Sequence, residues 1–273
     1  ITLDITLQNI GSTTATGVTA KLRTTDTYIT LTDTTQNWGT INNGISSTQN
    51  NAYGFTVANN VPNQHLVSFT LVITDNDSNT WNASFNIPIN APALSIGNVS
   101  IDDTGGNNNG RLDPGETVNL IISSSNNGHA DANNVISSLS STLGTITINN
   151  TTDNLGNLAA SGGSANATFN ISVSSLAVIG SVADFVNTLT AGAYTVQKNV
   201  GQIIGNVNED WETGTFTKYQ WVQGVYPWTL ITDVPYEGTY SAISGDITDD
   251  QSSELSISFE VLSNDSISFY KKV

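Results

Sequence analysis

The segment Asp102-Asp103-Thr104-Gly105-Gly106-Asn107-Asn108-Asn109-Gly110-Arg111-Leu112-Asp113-Pro114-Gly115-Glu116 gathers oxygen-bearing side chains at the spacing of a calcium loop. With Gly110 at the sharp-turn sixth position of a 12-residue loop, Asn107 and Asn109 take the third and fifth positions and Arg111 offers its carbonyl at the seventh. Asp113 takes the ninth and Glu116 the bidentate twelfth. The first position falls on Gly105, so an acid from upstream, Asp102 or Asp103, must fold back across Gly105-Gly106. Asn, Gly and Asp also make ordinary turns, but such a turn does not need both Asp113 and Glu116. Hard oxygen donors without Cys or a ligating His exclude zinc or iron and point to calcium as the cofactor. The following Thr117-Val118-Asn119-Leu120-Ile121-Ile122 reads as a strand, so this is an EF-like loop opening a β-domain.

Other candidates lie near the C-terminal end. Asp246, Asp249 and Asp250 could hold a second calcium. Tyr219, Trp221 and Tyr226 stand among polar, turn-prone neighbours and are expected to be exposed. There their ring faces would contact a glycan or a protein ligand, while Trp211, Trp228 and Phe269 are expected in a core. Catalytic residues are not expected. The chain has no Cys for a thiolate, no Gly-x-Ser-x-Gly elbow, and two histidines, His65 and His129, that read as surface polar residues in loops. Glu209, Asp210 and Glu212 could supply carboxylates for glycoside hydrolysis, but neighbours along an extended chain point opposite ways.

Composition bounds the partners. The 273 residues carry 7 basic and 23 acidic side chains, a net charge of −16, which excludes nucleic-acid binding by counterion release. No apolar stretch approaches the roughly 20 residues of a membrane span, so no membrane insertion is expected. Charged residues are only 11% of the chain and Thr, Ser, Asn and Gly dominate, the usage of extracellular β-modules. Zero Cys leaves calcium rather than disulfides as a staple. The chain also lacks Met, and Ile1 starts inside an alternating run, so it is expected to be a piece of a longer polypeptide.

Internal repetition gives the architecture. At an offset of 117, Asn9-Ile10-Gly11 meets Asn126-Asn127-Gly128, Val18 meets Val135, and Trp38-Gly39-Thr40-Ile41 meets Leu155-Gly156-Asn157-Leu158. At an offset of 114, Phe55-Thr56-Val57 meets Phe169-Asn170-Ile171. Alternating runs of about 5–8 residues between Gly, Asn and Ser turns, with nothing at helical period, predict β-sandwiches. The fold class is therefore all-β, with two tandem Ig-like sandwiches over 1–92 and 93–204. The aromatic-rich 205–273 reads as the first part of a jelly roll, with a strand over Ser266-Ile267-Ser268-Phe269-Tyr270. Linkers are expected at Ala91-Pro92-Ala93 and near Gly201 to Gly205. The calcium loop is expected to stiffen the joint between the two sandwiches, since it lies where the second begins. By the repeat, a matching loop is expected ahead of Ile1.

Two passages carry a resemblance. Gly110-Arg111-Leu112-Asp113-Pro114-Gly115-Glu116, with Asn126-Asn127-Gly128 and Ala132-Asn133-Asn134-Val135, resembles the Ig-like domains that follow the protease domain in gingipain-like (C25 peptidase family) secreted proteins of Bacteroidetes type. Glu209-Asp210-Trp211-Glu212-Thr213-Gly214, Pro227-Trp228-Thr229, Tyr236-Glu237-Gly238-Thr239-Tyr240-Ser241-Ala242 and Gln251-Ser252-Ser253-Glu254-Leu255 resemble their adhesin-type, MAM-like jelly roll. The resemblance implies a secreted or surface-attached product of the type IX route. Three readings of function follow: a non-catalytic, calcium-stabilised spacer and adhesion region binding a glycan or protein outside the cell; the accessory tail of a C25-type cysteine endopeptidase; or a self-assembling subunit of a fibre or sheath.

Overall fold

The computed structural model describes residues 1–206, 208–233, 235–258 and 267–272. Among them every regular element is a strand, and the sheets are antiparallel. The first sandwich is built from β1 (Thr2–Gln8), β2 (Ala15–Arg23), β3 (Ile29–Asp33), β4 (Thr35–Ile41), β5 (Ser46–Val57), β6 (His65–Thr74) and β7 (Thr80–Ile89). One sheet has the order β1-β5-β3 and the other β4-β2-β6-β7. Alternation places Val18, Ala20 and Leu22 of β2 and Val67, Phe69 and Leu71 of β6 on the inner face, where all are buried. Phe69 packs on Phe55 of the opposite sheet at 5.3 Å between ring centres. Tyr53 is fully buried and donates its hydroxyl to the Ala20 carbonyl at 2.9 Å, joining the two sheets; burial, with the negative charge of Asp33, pushes its phenol up to about 12.

The second sandwich repeats this plan with β8 (Leu94–Asp102), β9 (Thr117–Asn126), β10 (Ala132–Ser140), β11 (Ile146–Ile148), β12 (Thr152–Leu158), β13 (Gly163–Val173), β14 (Val182–Ala191) and β15 (Tyr194–Ile203). Its sheets run β11-β13-β9-β8 and β12-β10-β14-β15. Strand for strand, β9 to β15 occupy the places of β1 to β7, which is the sequence repeat expressed as topology. Leu120, Ile122, Phe169, Ile171, Phe185 and Leu189 fill a separate core.

The repeated asparagine shows why the repeat is kept at polar positions as well. Asn126 is fully buried at the end of β9, and its side-chain amide donates to the carbonyls of Ala130, Leu158 and Ala159, while its Oδ1 accepts from Gly128 and Ala93. Asn9, 117 residues earlier, donates to Thr13 and Ile41 and accepts from Gly11. A buried amide costs stability unless its groups are paired, and here the pairs close the turns that end the strands.

Among the described residues beyond β15 the regular structure thins to two ribbons, β16 (Val222–Gln223) with β19 (Leu255–Ser256) and β17 (Thr229–Ile231) with β18 (Ser241–Ile243). Two expectations are corrected here. β15 runs through Gly201 to Ile203, and Ile204 is fully buried against a parallel bridge to Leu112, so the expected linker at 201–205 belongs to the second sandwich as far as Ile204. Residues 267–270 form no strand, and Phe269, expected in a core, is 77% exposed; Ser266 lies outside the described residues.

Asn126→Ala is expected to destabilise the second sandwich by about 3 kcal/mol, because several buried partners lose their bonds together. Asn126→Asp should cost at least as much, since it replaces the donor that three carbonyls need with a charged acceptor. Chemical denaturation of the two variants checks both values.

Candidate functional site

The loop between β8 and β9 folds as a cage of carboxylates bridged by amides. Asp103 is the acid that turns inward. It is 3% exposed, and its Oδ2 accepts from the backbone N–H of Asn109 at 2.8 Å and of Gly110 at 3.2 Å. Asp102 instead accepts from Thr104 N–H at 3.2 Å, and hydrogen bonds from Thr104 hold its carboxyl below the ordinary value. Asp113 Oδ2 receives the side-chain amides of Asn107 at 2.7 Å and Asn109 at 2.6 Å. Glu116 Oε1 receives Asn107 N–H at 2.9 Å, while its Oε2 is buried with no hydrogen-bond partner. Gly110 has φ of 76°, the left-handed conformation its loop position demands. Gly106 has a separate reason: a Cβ there would lie 2.5 Å from Glu116 Oε1. Arg111 donates its N–H to Asn109 Oδ1 at 2.9 Å.

The cage therefore brings Asp103, Asn107, Asn109, Asp113 and Glu116 together and leaves Asp102 outside. Its three acids, Asp103, Asp113 and Glu116, do not converge: among the described residues no three His, Cys, Asp or Glu side chains are grouped to hold a metal. The same holds for Asp246, Asp249 and Asp250, which are exposed and do not form such a group.

The cage is anchored at the far end of the second sandwich. Gly115 and Glu116 exchange backbone bonds with Val173, and Leu112, fully buried, bridges to Ile204. The joint between the sandwiches lies at the other end of β8, where Leu94 pairs with Asn126; Asp102 at the loop end pairs with Asn119. Eight residue steps at about 3.3 Å put the two ends about 26 Å apart. The expectation that this loop stiffens the joint is thereby corrected.

The joint draws on His129, which the sequence reads as a surface polar residue, and on Asn63, Gln64 and Tyr194, to which the sequence gives no role. Asn63 Oδ1 accepts from Ala91 N–H and His129 N–H, and the amide groups of Asn63 and Gln64 meet His129 Nδ1 and Nε2 at 3.1 and 3.0 Å. Tyr194 of the second sandwich donates its hydroxyl to Val61 of the first. His65, expected in a loop, is the first residue of β6. Its Nε2 lies 2.6 Å from Asp26 Oδ2, and its ring packs edge-on against Tyr28. Burial raises the Asp26 carboxyl, but the Tyr28 N–H and His65 outweigh it, and the net shift is downward. Asp26 lies 39 residues from His65, so no local sequence signal marks the pair.

In the C-terminal part the expected ligand-binding aromatics are half-buried rather than displayed. Trp221 lies against Trp211 with ring centres 5.3 Å apart and planes tilted by 36°, and donates its Nε1–H to Glu209 Oε2 at 2.8 Å. Tyr219 is tied to the Asn208 carbonyl. Tyr226 lines an open depression of about 290 Å³ together with Asp246. The acids weighed for glycoside hydrolysis hold structure instead: Glu209 also accepts from Trp211 N–H, Asp210 pairs with Lys218 at 3.0 Å, and Glu212 accepts from Thr239 and Tyr240 N–H.

No protein-family model matches the chain, and no curated protein matches it. Similar solved structures include a protein of unknown function from Porphyromonas gingivalis W83, 13% identical over 73% of this chain and 89% of that one, with a TM-score of 0.23. Another is the CsuC-CsuE chaperone-tip adhesion subunit complex of the archaic chaperone-usher Csu pili of Acinetobacter baumannii, 14% identical over 75% of this chain and 92% of that one, TM-score 0.19. A third, BspA_C_WT, is 9% identical over 74% and 83%, TM-score 0.28. Superpositions this poor carry no argument about function. Among the described residues no helix is long and apolar enough to cross a membrane.

Because its folded value is lowered, Asp26 adds stability that is fully present above the ordinary carboxylate value and is lost as pH falls through the folded one. Asp26→Asn is therefore expected to cost the first sandwich about 1 kcal/mol at pH 7. The gap to the unmodified chain should close below about pH 4, as followed by denaturation between pH 7 and 3.

Proposed function

We propose that this chain is a non-catalytic, calcium-stabilised spacer and binding region of a secreted or cell-surface protein. The observation that carries the reading is Glu116 Oε2, a carboxylate oxygen buried without a partner at the twelfth position of a loop of calcium-ligand spacing. A buried, unpaired carboxylate oxygen is costly, and a hard cation would supply its missing partner. Asp103, Asp113 and Glu116, which are not grouped around one point in this structure, would close on the ion and provide charge. Asn107 and Asn109 would turn their amide oxygens inward, and the Arg111 carbonyl would complete an oxygen set. Bound there, the cation would hold the loop's Leu112 against Ile204, and so fix the end of the second sandwich from which residues 205–273 depart. Against catalysis stand the absence of Cys from the sequence and the structural duties of Glu209, Asp210 and Glu212.

Two features favour the spacer part: a short linker between the sandwiches and hydrogen bonds across their joint, from His129 N–H to Asn63 Oδ1 and from the Tyr194 hydroxyl to the Val61 carbonyl. The binding part rests on residues 205–273, where Tyr226 and Asp246 share a depression and Tyr236 stacks on Tyr270 at 3.8 Å with both rings largely exposed. A glycan or a protein with apolar faces fits such rings. The gingipain-like family, type IX export and a second calcium at Asp246, Asp249 and Asp250 rest on sequence alone. So do the two other readings, an accessory tail of a C25-type peptidase and a fibre subunit.

Saturating calcium is expected to stabilise the chain by about 2–3 kcal/mol relative to EDTA, raising the Tm of the second sandwich by about 10 °C. Glu116→Gln should remove most of that difference. Identical melting in calcium and EDTA for the unmodified chain would refute the calcium reading.

A further inference from the structure

A cleft of about 560 Å³ opens where the two sandwiches meet, a size suited to a small molecule. Asn59 of the first sandwich, Pro92 of the linker, and Asp131, Asn133, Asn134 and Tyr194 of the second line it. The repeat shows how it arises. At the offset of 117, Asp131, Asn133 and Asn134 meet Thr14, Thr16 and Gly17. Gly17 and Asn134 each sit in the bulge near the start of their strand, with φ of 60° and 52°. In the first sandwich the bulge is roofed by the β6–β7 turn: Asn76 donates its N–H to the Thr16 carbonyl, and a Cβ on Gly17 would run into the Asn76 side chain. In the second, the matching turn between β14 and β15 is cut to Gly192 and Ala193, and a Cβ on Gly192 would meet nothing within 4 Å. The roof is gone, and a side chain stands where the first sandwich has glycine. The left-handed region costs any residue with a Cβ more than it costs glycine, and Asn tolerates it best. Asn134 therefore keeps its amide at the cleft against a backbone preference.

The groups in the cleft select the class of ligand. The side-chain amides of Asn59, Asn133 and Asn134 have no hydrogen-bond partner among the described residues, and each can both donate and accept. Asp131 commits one carboxylate oxygen to the Ala160 N–H and keeps the other. The Tyr194 hydroxyl is tied to the Val61 carbonyl, which holds its half-buried ring in the cleft wall. No Lys, Arg or His lines the cleft, so nothing there pairs with an anion, and a lone carboxylate is too few for a calcium ion. β10 is paired on both sides, with β12 and β14, and offers no free strand edge to a peptide backbone. Hydroxyls that donate and accept, carried on a ring with an apolar face for the tyrosine, match what remains.

We propose that this cleft binds a neutral oligosaccharide, held by the amides of Asn59, Asn133 and Asn134 and the free oxygen of Asp131, with a sugar ring against Tyr194. The site is separate from the depression at Tyr226 and Asp246 and does not depend on it. Because Asn59 belongs to the first sandwich and Asn133 to the second, a saccharide bound here bridges the joint.

The test titrates the full chain with maltotriose, cellotriose, mannotriose and triacetylchitotriose in calcium-containing buffer and follows backbone amide chemical shifts. At least one sugar is expected to shift the amides of Asn133, Asn134, Gly192 and Tyr194 with millimolar affinity. The double variant Asn59→Ala/Asn133→Ala should bind that sugar about tenfold more weakly or worse and melt with the unmodified chain, since neither amide holds the fold. Asn134→Gly, which removes the third amide and relieves the backbone, should weaken binding as well. Cleft amides unmoved by every one of these sugars would overturn the proposal, as would affinity unchanged in both variants. Shifts confined to the surroundings of Tyr226 and Tyr236 would also overturn it and place saccharide binding in the C-terminal part instead.

Discussion

A buried amide that has to satisfy every one of its hydrogen bonds governs this architecture. Asn126 has no access to water, and its donors and acceptor are consumed by a turn, by the far strand of the opposite sheet and by the incoming linker. Those bonds fix where β9 stops, how the chain turns back, and where Ala93 must pass. The apolar cores supply most of the favourable free energy through area removed from water, but such burial is indifferent to direction. The asparagine supplies direction. Its recurrence at Asn9 means that the same constraint shapes both sandwiches, and Asn126 adds two bonds that Asn9 lacks, one to the Ala159 carbonyl and one from the Ala93 N–H.

At the opposite end of β8 the second sandwich is closed by another polar device. Asp103, Asp113 and Glu116 are spaced by asparagine amides that donate to them, so the loop holds its carboxylates at hydrogen-bond distance from neutral groups. One oxygen of Glu116 is left over. Because Leu112 within this loop is packed against Ile204, order in the cage is transmitted to the point where the chain leaves the sandwich rather than to the point where it enters.

The strands were legible because burial on one face enforces a period of two, and because two copies of the pattern could be laid over each other: Leu3 on Leu120, Ile5 on Ile122, Asn9 on Asn126. That Asn107, Asn109, Asp113 and Glu116 are linked within one loop was legible from residue types and spacing. What the sequence hid were facts of distance. The loop lies close to the linker in sequence, but a nine-residue strand stands between them, and extension carries the cage to the other end. The Asp26–His65 pair and the Asn63–His129 contact join residues far apart in the chain, which no local pattern encodes. Trp221 sits among polar neighbours, yet Glu209 satisfies its indole N–H and Trp211 covers its face, so polar surroundings in sequence did not mean display to solvent.

The central claim is that a hard cation completes the 103–116 cage, and the most direct measurement is an experimental structure of the chain grown in calcium with anomalous scattering recorded. The account predicts one anomalous peak inside the cage, with six to eight oxygens at about 2.3–2.6 Å, Glu116 Oε2 and an Asp103 carboxylate oxygen among them. A well-ordered loop without a peak, and with Glu116 turned to solvent, would contradict it.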